Sequence, residues 1–282
     1  MFSIIIPTFN NLEYLKICIN SIKKNSKFDH DLIVHINEGK DGTLDYIKTN
    51  NIAYTYSDNN IGLCSAVNQA ASNAKTNYIL YSHDDMYFCP NWDIILKNEL
   101  DSLDTKLFYL SASMIEQHSG HIKLDCGSDF NNFNEKKLLA NYNNKKFYDF
   151  QGSHWAPHLI HKDLWIKIGG FSEEFNPGAA SDPDLNMKLW KERVRIFKGI
   201  ADFRVYHFGS ISLRKKSNFK KNNGTKTFLK KWGITPKFFK KHYLKSDTSF
   251  EGPLSEPVYN LNFLIGLLVC KIKLLFLLIK NE

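Results

Sequence analysis

The chain has 282 residues, 43% apolar and 14% aromatic, which is ample for one large domain with a real core and excludes an intrinsically disordered chain. Five scattered cysteines, odd in number and without a C-x-x-C pair, argue against a zinc ribbon or a disulfide framework and fit a reducing cytosol. The net charge of +8 is local: residues 214–245 hold twelve Lys/Arg and no Asp/Glu, while elsewhere 25 Lys/Arg face 29 Asp/Glu.

The first strand-like run, "SIIIP", lies in a segment starting at Phe2. That leaves no room for a signal region ahead of it, so the chain is expected to start folded in the cytoplasm. "LEYLKICINSIKKN" reads as a helix with Leu12, Leu15, Ile19 and Ile22 on one side, and "DLIVHIN" as a second strand. "GTLDYIKTN" reads as a short helix, "IAYTYSD" as a third strand, "GLCSAVNQAASNA" as a helix of small residues, and "YILYSHD" as a fourth strand. Strands alternating with helices predict an α/β fold: a mostly parallel central sheet with helices on both faces.

In such sheets ligands bind outside the carboxyl ends of the strands. All four strand ends here are polar: Pro7-Thr8-Phe9-Asn10, Asn37-Glu38-Gly39, Ser57-Asp58-Asn59-Asn60 and His83-Asp84-Asp85. Residues 111–150 are less regular, with a loop and a helix in "NNFNEKKLLANYNNKK". "GSHWAPHLIHKDLWIKIGGFSEEF" gives a strand and a short helix stopped at Gly169-Gly170. "DPDLNMKLWKERV" is a helix opened by acids at its positive end, with Leu185, Leu189 and Trp190 toward the core, and "FRVYHFGSIS" is a further strand.

The order of these features resembles the family 2 glycosyltransferases of GT-A fold. The matching pieces are "SIIIPTFN", "INEGKDGT", "NIGLCSAVN", "SHDD", "IGGFSEEF", "SDPDLNMKLW", "VYHFGS" and "KKWG", spanning residues 2–233. Each is weak alone; eight in order are specific. The resemblance implies transfer of a sugar from a nucleotide-diphosphate donor, a UDP-sugar first, to a hydroxyl of a saccharide or lipid-linked acceptor. It also implies Mn²⁺ or Mg²⁺ to neutralise the leaving diphosphate.

By similarity Asp85 matches the last acid of the family's D-x-D motif and is a metal ligand, while His83 departs from the pattern by standing where the first acid is expected. His207 resembles a histidine that completes the coordination, and an imidazole tilts the preference toward Mn²⁺. Asp84 faces ribose or sugar hydroxyls. The nucleotide end is assigned to Pro7, Thr8, Asn10, Asn37 or Glu38, Asn60, Gly62, Asn68, His83 and Asp84, with Arg214 near the diphosphate. Asp182 matches the catalytic-base position of an inverting single displacement, with Ser181 replacing the usual preceding Glu. A helix N-terminus lowers the basicity of such an acid, so burial has to offset it. His154, Trp155 and Asp184 are assigned to the acceptor.

From the residues alone other readings stay open: a solvated turn for "HDD", a satisfied core role for His207 and Trp155, a glycine-selected turn for "NEGKDG" and helix capping for Asp182. A catalytically inactive nucleotide-sugar-binding protein on the same scaffold is the alternative function, motivated by His83.

The organisation expected is a GT-A domain over 1–212, with its halves meeting near residue 110, a basic aromatic helical extension over 213–252 and a hydrophobic tail over 253–282. No nucleic-acid module is recognisable in the basic run, so no nucleic acid is expected. The tail is short for a membrane span and is interrupted by Lys271 and Lys273. It reads as a helix on the inner face of the cytoplasmic membrane or as a core or homo-oligomer contact.

Overall fold

The computed structural model describes residues 1–209 and 222–279. In its first half β1 (Ser3–Phe9), α1 (Leu12–Asn25), β2 (Asp31–Asn37), α2 (Thr43–Thr49), β3 (Ala53–Ser57), α3 (Leu63–Ala71) and β4 (Tyr78–Tyr81) follow the alternation read from the sequence. The remaining strands are β5 (Met86–Phe88), β6 (Phe108–Glu116), β7 (Ile122–Lys123), β8 (Phe150–Gln151), β9 (His158–His161) and β10 (Ile196–His207). Between them lie α4 (Trp92–Asp101), α5 (Glu135–Asn141), α6 (Lys162–Ile168) and α7 (Ser181–Lys191). α8 (Gly224–Trp232), α9 (Pro236–Phe239) and α10 (Leu261–Ile279) come after β10.

Among the described residues ten strands form one sheet in the order β3-β2-β1-β4-β9-β6-β10-β5, with β7 beside β6 and β8 beside β10. β1 is parallel to both β2 and β4, and β2 to β3, so the four polar strand ends do share one edge. β9 is antiparallel to β4 and to β6, joining the halves. β10 runs parallel to β6 and antiparallel to β5.

The core follows from the apolar spacing. Leu15, Cys18, Ile19 and Ile22 recur on one face of α1 and are buried, as are Leu185, Leu189 and Trp190 on α7. Burying such side chains stabilises the fold by about 1.5–3 kcal/mol each.

Three elements escape the pattern. β5 is only three residues long, α4 is enclosed in the mixed stretch "WDIILKNELD", and β6 extends regular structure into the segment read as irregular. The boundary expected near residue 212 is not a boundary in packing. Phe228 of α8, Phe239 of α9, Leu244, Leu254 and Phe263 and Cys270 of α10 belong to the same buried cluster as Ile4 and Leu80. Over residues 222–245 Phe228, Phe238 and Phe239 turn inward while most lysines face outward, with Lys231 paired to the buried Asp184.

Candidate active site

The hairpin-like return of β5 against β10 builds the centre of the site. Its register sets Met86 opposite His207, and the Phe208 amide donates to the Asp85 carbonyl at 3.1 Å. Asp85 is thereby carried to the His207 imidazole, Oδ1 to Nε2 at 3.5 Å, while Nδ1 of His83 lies 4.0 Å from the same oxygen. Ligand atoms of His83, Asp85 and His207 all fall within 4.8 Å of one another. Nδ1 of His207 is held by Glu116 Oε1 at 2.6 Å, which leaves Nε2 directed at the cluster.

Burial works against a charge on His207, yet hydrogen bonds to Asp85 and Glu116 outweigh it and push the imidazole up to about 9. Burial lowers His83 to about 4, partly offset by Asp85. Two imidazoles and a carboxylate, one ring oriented by a second carboxylate, make a mixed nitrogen and oxygen donor set that fits a first-row divalent transition metal better than Mg²⁺. His83 therefore stands among the candidate ligands, where the sequence assigns it to the nucleotide. Asp84 accepts from Thr8 Oγ1 at 2.7 Å, tying the end of β1 to the end of β4.

The expected nucleotide end is also assembled. Pro7 is buried in β1, and beyond it Asn10 Nδ2 donates to Glu38 Oε2 at 3.3 Å. The Lys40 amide donates to Asn10 Oδ1 at 2.8 Å. Asn10 and Glu38 both have left-handed backbones, at φ 47° and 63°, a conformation that costs non-glycine residues energy and clusters at functional sites. Asn60 Oδ1 accepts from the Gly62 amide at 2.9 Å. The Asn37 amide oxygen accepts from Ile61 N and Ser57 Oγ, while the Glu38 carboxylate is held by Asn10 and Lys40. A hydrogen bond from Lys40 keeps that carboxylate below its usual range.

Asn68 departs from its expected role: it donates from Nδ2 to the Phe171 carbonyl at 2.8 Å and accepts at Oδ1 from the Phe171 amide at 2.9 Å. It clamps the Gly169-Gly170 turn and its sequel onto α3. Asn176, unmarked in the sequence, accepts from Cys64 N and donates to Ser65 Oγ, closing the N-terminus of α3.

Asp182 sits in the first turn of α7, directly after Ala180, whose φ is 63°. Its Oδ1 is enclosed with no hydrogen-bond partner among the described residues, and burial raises the carboxyl to about 7. Burial raises the Tyr81 phenol well above its ordinary range, and the charges of Asp182, Asp85 and Asp84 add to that.

Asp184 is fully buried and does not face a ligand. It accepts from Ser172 Oγ at 2.6 Å and Trp232 Nε1 at 2.8 Å, and pairs with Lys231 Nζ at 3.0 Å. Its acceptor assignment is corrected to that of an anchor between α7 and α8. Three motifs, "IGGFSEEF", "SDPDLNMKLW" and "KKWG", converge on this one carboxylate.

Trp155 donates from Nε1 to the Ala112 carbonyl and clusters with Phe150 and His121, leaving it half-buried rather than an open platform. His154 is half-buried with Nδ1 2.9 Å from the Gly152 carbonyl. His158 bonds Tyr109 through Nδ1 at 2.9 Å, and its buried Nε2 has no partner among the described residues. Glu116 carried no signal in the sequence, because only β6 against β10 brings it to His207. Arg214 lies outside the described residues.

The family profile of Glycosyl transferase family 2 matches residues 3–165, more than half of the chain. An uncharacterized glycosyltransferase of Rickettsia prowazekii is 30% identical over 198 residues, covering 67% of this chain and 58% of its own. One from Rickettsia felis is 32% identical over 132 residues, covering 43% of this chain and 21% of its own. The chain spans less than two thirds of the length of either relative. Its fold is similar to that of TarS 1–349 of S. aureus in complex with UDP-GlcNAc, at a TM-score of 0.54 and 15% identity, over 79% of this chain and 60% of that one. It is also similar to GalNAc-T7 with UDP, GalNAc and Mn²⁺, at a TM-score of 0.59 and 15% identity, over 83% and 48%. The sheet and its flanking helices are those of the GT-A glycosyltransferases, and the chain belongs to glycosyl transferase family 2.

Proposed function

We propose that this chain transfers a sugar from a nucleoside-diphosphate donor, a UDP-sugar first, to a hydroxyl of a saccharide or lipid-linked acceptor, by single displacement with inversion. The observation that carries the reading is Asp182: a partly buried carboxylate in the first turn of α7, its Oδ1 enclosed and unpartnered among the described residues and the group raised by burial to about 7. A base works best with its pKa near the operating pH.

In this reading Asp182 takes the proton of the acceptor hydroxyl as its oxygen attacks the anomeric carbon. The bond from that carbon to the diphosphate oxygen breaks on the opposite face. Glu38 and Asn10 receive the base, and Asp84, fixed by Thr8, receives donor hydroxyls. His83, Asp85 and His207 would hold the divalent cation, which when bound neutralises the charge of the leaving diphosphate. The TarS and GalNAc-T7 structures, bound to UDP-GlcNAc and to UDP with Mn²⁺ respectively, support this assignment of donor and ion.

The test is Asp182→Asn assayed against a panel of nucleotide sugars with Mn²⁺. Turnover is expected to fall by roughly 10²–10⁴-fold with UDP affinity preserved. Undiminished turnover would place the base elsewhere. A wild type that binds UDP but turns over no donor would favour the non-catalytic binding protein.

A further inference from the structure

α10 is the helix that the glycosyl-transfer reading leaves unused. Its 19 residues are long and apolar enough to cross a membrane by length and composition. Yet it is docked on the domain. Phe263 packs on Phe238, His242 and Tyr243, Cys270 Sγ reaches Thr235 Oγ1 at 3.8 Å, and a Cβ at Gly266 would meet Phe238 at 2.9 Å. The residues that turn inward, 263, 266, 267, 270, 274 and 277, follow the i, i+3, i+4, i+7 rule of a single face.

At about 100° per residue the opposite face is a stripe made of Leu261, Ile265, Leu268, Ile272, Phe276 and Ile279. It is wholly apolar and exposed, Leu268 by 60% and Phe276 by 61%. The two lysines of the helix are not scattered. Counted from the docked face, Lys271 lies at about +80° and Lys273 at about −80°, one on each edge of the stripe. Residues 222–245, whose helices pack against α10, add seven lysines and no acid, Lys231 among them paired with Asp184 and Glu174.

We propose that this stripe inserts into an anionic lipid bilayer with α10 lying flat in the interface, the domain above it. Lysines on both flanks then stand at headgroup depth with their stems along the apolar surface. A perpendicular span would put both lysines inside the hydrocarbon and would undock Phe263 and Cys270 from the domain. A second copy is the poorer occupant, because apposed stripes would bring like-charged lysine rims together. A bilayer carrying negative headgroups complements those rims and the neighbouring basic segment.

The full chain is tested by flotation with vesicles of phosphatidylcholine containing roughly one third phosphatidylglycerol. Binding is expected to be at least tenfold stronger than to phosphatidylcholine alone and to weaken with salt. The variant Leu268→Ser/Ile272→Ser/Phe276→Ser, which alters only exposed positions, is expected to lose binding by more than tenfold with its unfolding midpoint unchanged. Ile272→Trp reports depth: quenching by lipids brominated near the headgroup end of the acyl chain is expected. Quenching confined to deep bromines would overturn the flat geometry. A protein that ignores anionic vesicles at low salt would overturn the proposal. So would a dimer in sedimentation that the triple substitution dissolves, without vesicle binding.

Discussion

Glu116 Oε1 lies 2.6 Å from Nδ1 of His207, and Nε2 of the same ring looks toward Asp85 Oδ1 at 3.5 Å. One carboxylate aims the ring and the other faces its second nitrogen. Partners of this kind are worth 10–100-fold in metal affinity. Glu116→Ala is therefore expected to weaken Mn²⁺ binding by roughly that factor, with Glu116→Gln recovering most of it through its amide oxygen. Calorimetric titration of Mn²⁺ checks this, and equal affinity for all three proteins would remove the orienting role.

Asp182 ties pH to stability. Its folded carboxyl is raised to about 7 by burial, above the ordinary range expected of the unfolded chain. Between the unfolded value of about 4 and the folded value of about 7 the unfolded chain ionises first, so stability fully present below about pH 4 is lost progressively as pH rises to about 7. Asp182→Asn removes that penalty. The variant is expected to melt several degrees higher than wild type at pH 8 and to converge with it only below about pH 4, the ordinary Asp value. Thermal unfolding across this window measures it, and a lower melting point at pH 8 would contradict the burial argument.

Trp232→Phe leaves buried Asp184 Oδ1 without its indole donor. Losing one partner of a buried carboxylate costs about 1–3 kcal/mol. The denaturant midpoint should fall accordingly, while the KM for acceptor stays put. A KM change with no loss of stability would return Asp184 to the acceptor site.

Asn68→Ala breaks both hydrogen bonds to Phe171. A loss of about 1–3 kcal/mol is expected, with UDP affinity unaltered. Titration of UDP into the variant decides between a clamp and a nucleotide ligand.

The parallel half was readable because its signals are local: period-two and period-3.6 apolar spacing, and a polar residue at each strand end. Asp85 and His207 were readable only as motif positions; what joins them is β5 against β10, a pairing of three residues with no sequence signature. Glu116 and Asn176 were illegible for the same reason, since their partners lie 91 and 111–112 residues away. The misassignment of Asp184 has a different origin. Two acids in one helical turn look equivalent in sequence, but at about 100° per residue they point nearly opposite ways, and only Asp184 meets Trp232 and Lys231.

The grip of Lys231 and Trp232 on Asp184 makes the chain beyond β10 a structural partner of the helix that carries Asp182. A shortened protein ending near residue 212 would keep every strand and the candidate cation ligands, yet it would bury an Asp184 stripped of its cation and its indole. Such a fragment is expected to bind nucleotide poorly or precipitate. A cut after Leu254 would keep that grip but strip Phe263 and Cys270 of α10 from the shared core, so it is expected to lower stability while leaving the candidate site intact.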